Sequence, residues 1–295
     1  MSYIRLSFHT CKWKDKFIFK GGTSLSKVYH LIDRFSEDID LILDWRVLGY
    51  SKNEPWEPRS NTKQQKFILE SRDRLFHFLK NEFLPVFKKD MSNILGKEAN
   101  VYIDDNDAGT VNFLYPGIYN DSSILSAIRL EIGALAAWTP YTTESIQSYI
   151  TDYFPQIFTQ PSTKILVTTA ERTFFEKATI LHQEALRPNN STIPARYSRH
   201  YYDMYCMIHS PVKDSALKKP ELLDEVSLFK KTFYPRGWAR YDLAKFGSLK
   251  LLPAEHSIPV LRKDYEIMQL MIFGNYPTFD EILSSLNQLQ TEINS

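Results

Sequence analysis

The stretch FIFKGGTSLSKVYHLIDRFSEDIDLILDW, Phe17 to Trp45, constrains this chain more than any other. A short apolar run, Phe17 to Lys20, reads as a strand and is broken by Gly21-Gly22. The segment 23–33 then places Leu25, Val28, Tyr29, Leu31 and Ile32 at near-helical spacing and is expected to be a helix. A second strand is expected over 37–45, and it carries two acids in a run otherwise made for burial. Side chains alternate across a strand, so Ile39 and Leu41 point one way and Asp38 and Asp40 the other. Along one strand face such carboxylates lie roughly 6–7 Å apart. Like charges at that spacing resist ionising together unless a cation lies between them. Hard oxygen donors of this kind suit Mg²⁺, which takes one or two carboxylates together with substrate phosphates. Upstream, Gly21-Gly22 at a helix start offers unpaired backbone N–H groups and a positive dipole end, a place for phosphate, with Thr23 and Ser24 adding hydroxyls. A lone Gly-Gly is usually a turn, and a lone Asp-x-Asp usually a solvated face. Together, in this order around one helix, they form a kit for a triphosphate and its metal.

The rest of the chain sets limits on that reading. Its 295 residues suffice for one large or two ordinary domains. The net charge of +1 gives no global field toward nucleic acid or membrane, so a nucleic-acid site has to be a local patch. Two cysteines are too few for a disulfide framework or a Cys-based zinc site and fit a reducing cytosol. The first residues lack the apolar run of a signal peptide, and no apolar run reaches ~18 residues, so no membrane span is expected.

Further elements follow from pattern. A polar loop is expected over 47–65, a helix from about 64 to 89, strands over 100–104, 110–116 and 124–135, a helix over 143–154, and a strand or connector over 163–168. Beyond that, long helices dominate. Thr168 and Glu171 read as a capping box opening a helix over 170–186, and a helix over 195–209 stops at Ser210-Pro211. The change from mixed α/β to all-α lies near 160–168.

The segment KGGTSLSKVYHLIDRFSEDIDL resembles the signature of the AbiEii/AbiGii-type nucleotidyltransferase toxins (formerly DUF1814), within the polymerase-β-like nucleotidyltransferase superfamily. Arg34-Phe35-Ser36-Glu37-Asp38-Ile39-Asp40 carries the likeness most closely. The resemblance implies an α+β protein: a mixed β-sheet nucleotidyltransferase domain with flanking helices over 1–165, followed by a C-terminal α-helical bundle domain over 166–295. It implies a nucleotide-binding set of Gly21, Gly22, Thr23, Ser24, Lys27 and Lys177, and Mg²⁺ or Mn²⁺ as cofactor. It also calls for a third carboxylate on a neighbouring strand. In ILSAIRLEIGAL, Ile128, Leu130 and Ile132 share a face, leaving Arg129 and Glu131 on the other. Glu131 is the candidate third metal acid, against a plain surface role. Asp104, Asp105 and Asp107 compete, but DDNDAG reads as a turn.

The likeness continues in the helical half. ERTFFEKATILHQEA aligns Lys177 with the family's functional lysine, implied to contact nucleotide phosphates. ARYSRHYYDMY aligns Asp203 with its functional aspartate. Arg196, Arg199, His200 and Asp203 recur at three- and four-residue spacing, so an internal salt-bridge ladder is the plainer alternative for Asp203. The implied activity is transfer of a nucleoside monophosphate from an NTP to an RNA acceptor, tRNA foremost, by a cytoplasmic toxin with a cognate antitoxin encoded nearby. A protein hydroxyl as acceptor, or a silent nucleotide-binding subunit, are the alternatives. The segment 230–246 mixes Lys230, Lys231, Arg236, Arg240 and Lys245 with Tyr234, Trp238 and Tyr241. Cations with stacking rings suit RNA, and a solvated face with aromatics in the core is the competing reading.

Overall fold

A computed structural model describes residues 12–36, 38–115, 127–135, 140–148, 151, 153–157 and 161–295. The chain separates into two compact units, one of residues 1–28 and 36–168 and one of residues 29–35 and 169–295. The fold is α+β.

The first unit is built on a mixed sheet of β1 (Phe17–Lys20), β2 (Asp38–Leu43), β3 (Asn100–Ile103), β4 (Thr110–Leu114), β5 (Ala127–Gly133), β6 (Tyr141–Gln147) and β7 (Ser162–Thr168). Their spatial order is β3-β4-β5-β2-β1-β7-β6. The β1–β2, β3–β4, β4–β5 and β6–β7 pairs are antiparallel, whereas β2–β5 and β1–β7 are parallel. The two strands of the opening motif therefore lie at the middle of the sheet. Their apolar residues Phe17, Ile18, Phe19, Leu41, Ile42 and Leu43 are all buried, as central strands require. Helix α1 (Gly21–Lys27) follows β1 directly.

Between β2 and β3 run α2 (Asn61–Phe78), a π-helical turn (Leu79–Phe83) and α3 (Leu84–Leu95). The sequence pattern suggests one helix over about 64–89; the observed segment is longer at both ends and widened in the middle. The widening falls just ahead of Pro85, which has no N–H to donate and whose ring crowds the preceding turn. Phe83 from this turn stacks on Phe87 and meets Phe17 of β1 edge-on, at centroid distances of 5.4 and 5.6 Å. Such pairs contribute beyond the area they bury.

Two further expectations need correcting. The helix expected over 23–33 ends at Lys27, and His30 takes a left-handed φ of 51° that no helix accommodates. The segment expected to be helical over 143–154 begins as strand β6, whose seven residues pair with β7 from Tyr141↔Thr168 to Gln147↔Ser162. Thr142, Thr143 and Ile146 are β-branched, and that preference together with the β7 ladder outweighs the weak helical spacing. Tyr149, Ile150 and Asp152 of that expectation, with Ile124–Ser126 of the expected 124–135 strand and Glu37 of the motif, lie outside the described residues.

The second unit holds α4 (Ala170–Ala185), α5 (Ser198–Ile208), α6 (Pro211–Leu217), α7 (Glu221–Phe233), α8 (Ile258–Met268) and α9 (Phe279–Asn294). Its core takes Phe174, Phe175 and Leu181 from α4, Met204 and Met207 from α5, Val226 from α7, and Ile282 and Leu286 from α9. The cap of α4 is Thr169 rather than Thr168: its hydroxyl accepts from the Arg172 N–H, while Thr168 closes β7. Glu171, expected to complete the box, instead pairs with Lys219 at 2.7 Å. A true capping box opens α9, where Thr278 and Glu281 satisfy each other's N–H groups. Residues 33–35 run extended beside 271–273: Phe35 N–H donates to Met271 O and Phe273 N–H to Asp33 O, both at 2.7 Å.

Candidate active site

In the first unit the acids of β2 meet those of β5 through strand register. Asp40 is the direct partner of Glu131, and Asp38 of Arg129. Ile39, Leu130 and Ile132 are buried on the opposite face, leaving Asp38, Asp40, Arg129 and Glu131 partly exposed on one surface. The sheet thus brings together the three carboxylates expected from sequence, and it adds Arg129. Its Nε lies 3.3 Å from Asp38 Oδ1 and its Nη2 3.5 Å from Glu131 Oε1. Burial, and then the charges of Asp38 and Asp40, push the Glu131 carboxyl above its ordinary value; Arg129 opposes them. The face therefore holds more negative charge than its guanidinium neutralises.

Gly21 stands directly over this face. Its φ is +78°, and a Cβ there would overlap the Asp40 carboxylate. Gly21 is needed twice, for its backbone conformation and for the space Asp40 occupies. Gly22, Thr23 and Ser24 are buried in α1. The Thr23 hydroxyl donates to Asp38 O at 2.5 Å and the Ser24 hydroxyl to Gly21 O at 2.8 Å. Both hydroxyls expected to face a phosphate thus donate to the backbone: Thr23 ties the glycine turn to the acidic strand, and Ser24 closes the turn on itself. Lys27 closes α1. The competing acids behave as a turn: Asp104 accepts from Asn106 N–H, and Asp107 from Gly109 N–H and the Thr110 hydroxyl.

Among the described residues no group of three or more His, Cys, Asp or Glu side chains is gathered closely enough to hold a metal alone. Mg²⁺ does not need one, because it keeps few protein carboxylates and completes its shell with water and phosphate. Asp38, Asp40 and Glu131 are the hard oxygen donors that could serve such a cation, and their surplus negative charge fits one.

In the second unit Lys177 and Asp203 are direct partners. Lys177 Nζ lies 2.7 Å from Asp203 Oδ2. Arg34 grips the same carboxylate with two bonds, Nε to Oδ1 at 2.6 Å and Nη2 to Oδ2 at 2.9 Å. All three side chains are buried. Burial alone would raise the Asp203 carboxyl, but Arg34 and Lys177 outweigh it and hold the group well below the ordinary carboxylate range. Burial lowers Lys177, opposed by Asp203. His200 Nδ1 lies 3.2 Å from Lys177 Nζ, and burial with the neighbouring Lys177 and Arg199 charges keeps the imidazole neutral. Lys177 then donates and Nδ1 accepts. Against the alternative of a ladder through Arg196, Arg199, His200 and Asp203, the ion pairs that hold Asp203 are those with Arg34 and Lys177. Arg196, at φ 64°, precedes α5, and its backbone N–H with that of Ser198 is capped by Asp264 at 2.6 and 2.8 Å. Sequence reasoning missed Arg34 as Asp203's partner, although the residue stands inside the quoted motif. Its signal was the length of the Gly22–Asp38 spacer, which residues 29–35 fill as part of the second unit.

In the 230–246 segment, Arg187 and Arg236 approach the Trp238 ring at 5.1 and 5.8 Å, and Lys230 approaches Tyr234 at 5.8 Å. Tyr241 is buried and donates to Gln183 Oε1 at 2.7 Å, a core role.

Among the described residues no helix is long and apolar enough to cross a membrane. No curated protein matches the chain. Among solved structures, MenT4, a nucleotidyltransferase toxin from Mycobacterium tuberculosis H37Rv, aligns over 99% of this chain and 89% of its own, at 14% identity and a TM-score of 0.40. The family model for the nucleotidyl transferase AbiEii toxin, type IV toxin–antitoxin system, matches residues 6–285. The chain belongs to that family and is a nucleotidyltransferase.

Proposed function

We propose that this toxin-family enzyme transfers a nucleoside monophosphate from an NTP to an RNA acceptor, with tRNA the foremost candidate, in a reaction that depends on Mg²⁺ or Mn²⁺. The observation that carries the reading is the single carboxylate face of β2 and β5, where the strand register makes Asp40 the direct partner of Glu131 with Asp38 two residues away on the same face. When bound, a divalent cation would supply charge neutralisation on the phosphates and activation of the acceptor hydroxyl. Asp38 and Asp40 are its holders in this reading, and Glu131 is the carboxylate on the acceptor side. The acceptor oxygen forms a bond to the α-phosphorus in line with the bond to pyrophosphate, which breaks as pyrophosphate leaves. Gly21 and Gly22 let the backbone lie close against Asp40 and offer N–H groups to the triphosphate, with Thr23, Ser24 and Lys27 shaping that turn.

Lys177 and Asp203 enter the same proposal through their family positions, with Lys177 as the nucleotide-phosphate contact. Support comes from their setting: the buried cluster of Arg34, Lys177 and Asp203 beside a neutral His200 carries more positive than negative charge, which suits an anion. In the same reading the units are a nucleotidyltransferase domain and a helical bundle domain with a boundary near 165, and the protein works in the cytoplasm against a cognate antitoxin encoded nearby.

The test is incubation of the protein with each α-labelled NTP, Mg²⁺, total RNA and total protein. Label entering RNA, with tRNA the main labelled species, is the expected result. Label entering protein instead replaces RNA by a Tyr or Ser hydroxyl. No transfer from a folded sample leaves a silent nucleotide-binding subunit.

A further inference from the structure

The acidic face contains its own cation. Arg129 touches Asp38 and Glu131 together, and it sits on the same strand face as Glu131, two residues away. Its hold differs from that of Arg34 on Asp203. Arg34 makes two short bonds of 2.6 and 2.9 Å, inside the range of charge-assisted hydrogen bonds. Arg129 lies 3.3 and 3.5 Å from its carboxylates, and its Nε, although shielded from solvent, makes no hydrogen bond. One long hydrogen bond, from Nη2 to Glu131 Oε1, is the directed part of this hold and charge supplies the rest; about a third of the side chain is exposed, so it has room to leave. Besides Arg129, the charged groups that act on Glu131 are Asp38, Asp40 and Asp107, all negative, and Lys20 of β1, the register partner of Asp40, is a second cation bordering the face.

We propose that Arg129 is a built-in counter-ion that occupies the carboxylate face and competes with the divalent cation for Asp38 and Glu131. Metal entry requires the guanidinium to move off Asp38. The chain thereby lessens repulsion among its carboxylates without metal, at the expense of metal affinity. The inference rests on the metal reading of this face given above.

The test is Mn²⁺ binding to the full chain without nucleotide, followed by electron paramagnetic resonance, for wild type, Arg129→Gln and Arg129→Lys. Removing a unit charge about 6 Å from a divalent ion is expected to tighten binding by at least about tenfold in Arg129→Gln, the lower bound set by full water screening. Arg129→Lys keeps the charge and stays near wild type. Thermal unfolding supplies a second readout. Without Mn²⁺, Arg129→Gln melts below wild type, and saturating Mn²⁺ raises its Tm by more than it raises that of wild type. A purely structural arginine would lower Tm equally with and without the ion. Equal or weaker Mn²⁺ binding by folded Arg129→Gln, with wild type binding normally, overturns this inference alone. If neither protein binds Mn²⁺, the metal reading falls with it.

Discussion

Replacing Asp203 by Asn is the perturbation whose size the structure bounds best. The carboxylate is fully buried and accepts from two cations that are nearly as buried, through contacts of 2.6, 2.9 and 2.7 Å. Asn fills the same space but removes the charge, and its amide NH₂ must face one of the two cations. Breaking a buried pair by removing one partner typically costs about 3–5 kcal/mol, because the other charge stays buried without compensation. Here two cations are stranded, so the upper half of that range is expected. At roughly 2–4 °C per kcal/mol for a unit of this size, the helical unit should lose on the order of 10–15 °C in Tm. Hydrogen exchange of α4 and α5 assigns the loss to that unit, since the two units need not unfold together. Adding Lys177→Met to Asp203→Asn should recover more than ~1 kcal/mol, because it removes one stranded charge. The pH dependence has a fixed sign. The folded Asp203 carboxyl lies below its unfolded value, so its contribution is complete above pH ~4 and fades only as pH falls through the depressed folded value. An Asp203→Asn protein that melts within 2 °C of wild type, with unchanged exchange in α4 and α5, would refute the reasoning.

Other consequences follow from local geometry. Gly21→Ala combines a left-handed φ with overlap on Asp40 and should cost about 2–4 kcal/mol by chemical denaturation; a loss under 0.5 kcal/mol would show that the turn can shift. Glu131 titrates above its unfolded value in the metal-free protein, so its contribution to stability is fullest below pH ~4.5 and is lost as pH rises through the folded value. Glu131→Gln should flatten that decline in Tm-versus-pH scans, whereas parallel curves would place Glu131 away from the other acids. Thr278→Ala should cost ~1 kcal/mol by removing the capping box of α9, read by denaturation of the helical unit.

Much of the acidic face was legible because strand alternation is a strict rule. Asp38, Asp40 and Glu131 were placed on their faces by parity alone, and the β2–β5 register then made Asp40 and Glu131 neighbours. The parity that exposed Glu131 exposed Arg129 equally, yet its pairing with Asp38 depended on a parallel register between strands some ninety positions apart, which no local pattern encodes. Arg34 was illegible for a similar reason. Apolar spacing carried the helix reading past Lys27, while tertiary contact drew residues 29–35 into the second unit and its antiparallel pairing with 271–273. The strand at 141–147 was misjudged because its helical spacing is weak and its partner β7 decides its state. The capping residue of α4 is one position later than the pattern suggests, because Thr168 is held in the β6–β7 ladder.

The central claim is that the carboxylates of β2 transfer the nucleotide. The most direct measurement is the initial rate of label transfer from α-labelled NTP in Mg²⁺ by wild type, Asp40→Asn and Asp38→Asn, each checked for wild-type unfolding behaviour. The account predicts transfer by wild type and a loss of at least about a hundredfold in both variants, the scale on which removing one electrostatic stabiliser of the transition state is felt. Folded variants that transfer label at the wild-type rate would contradict it.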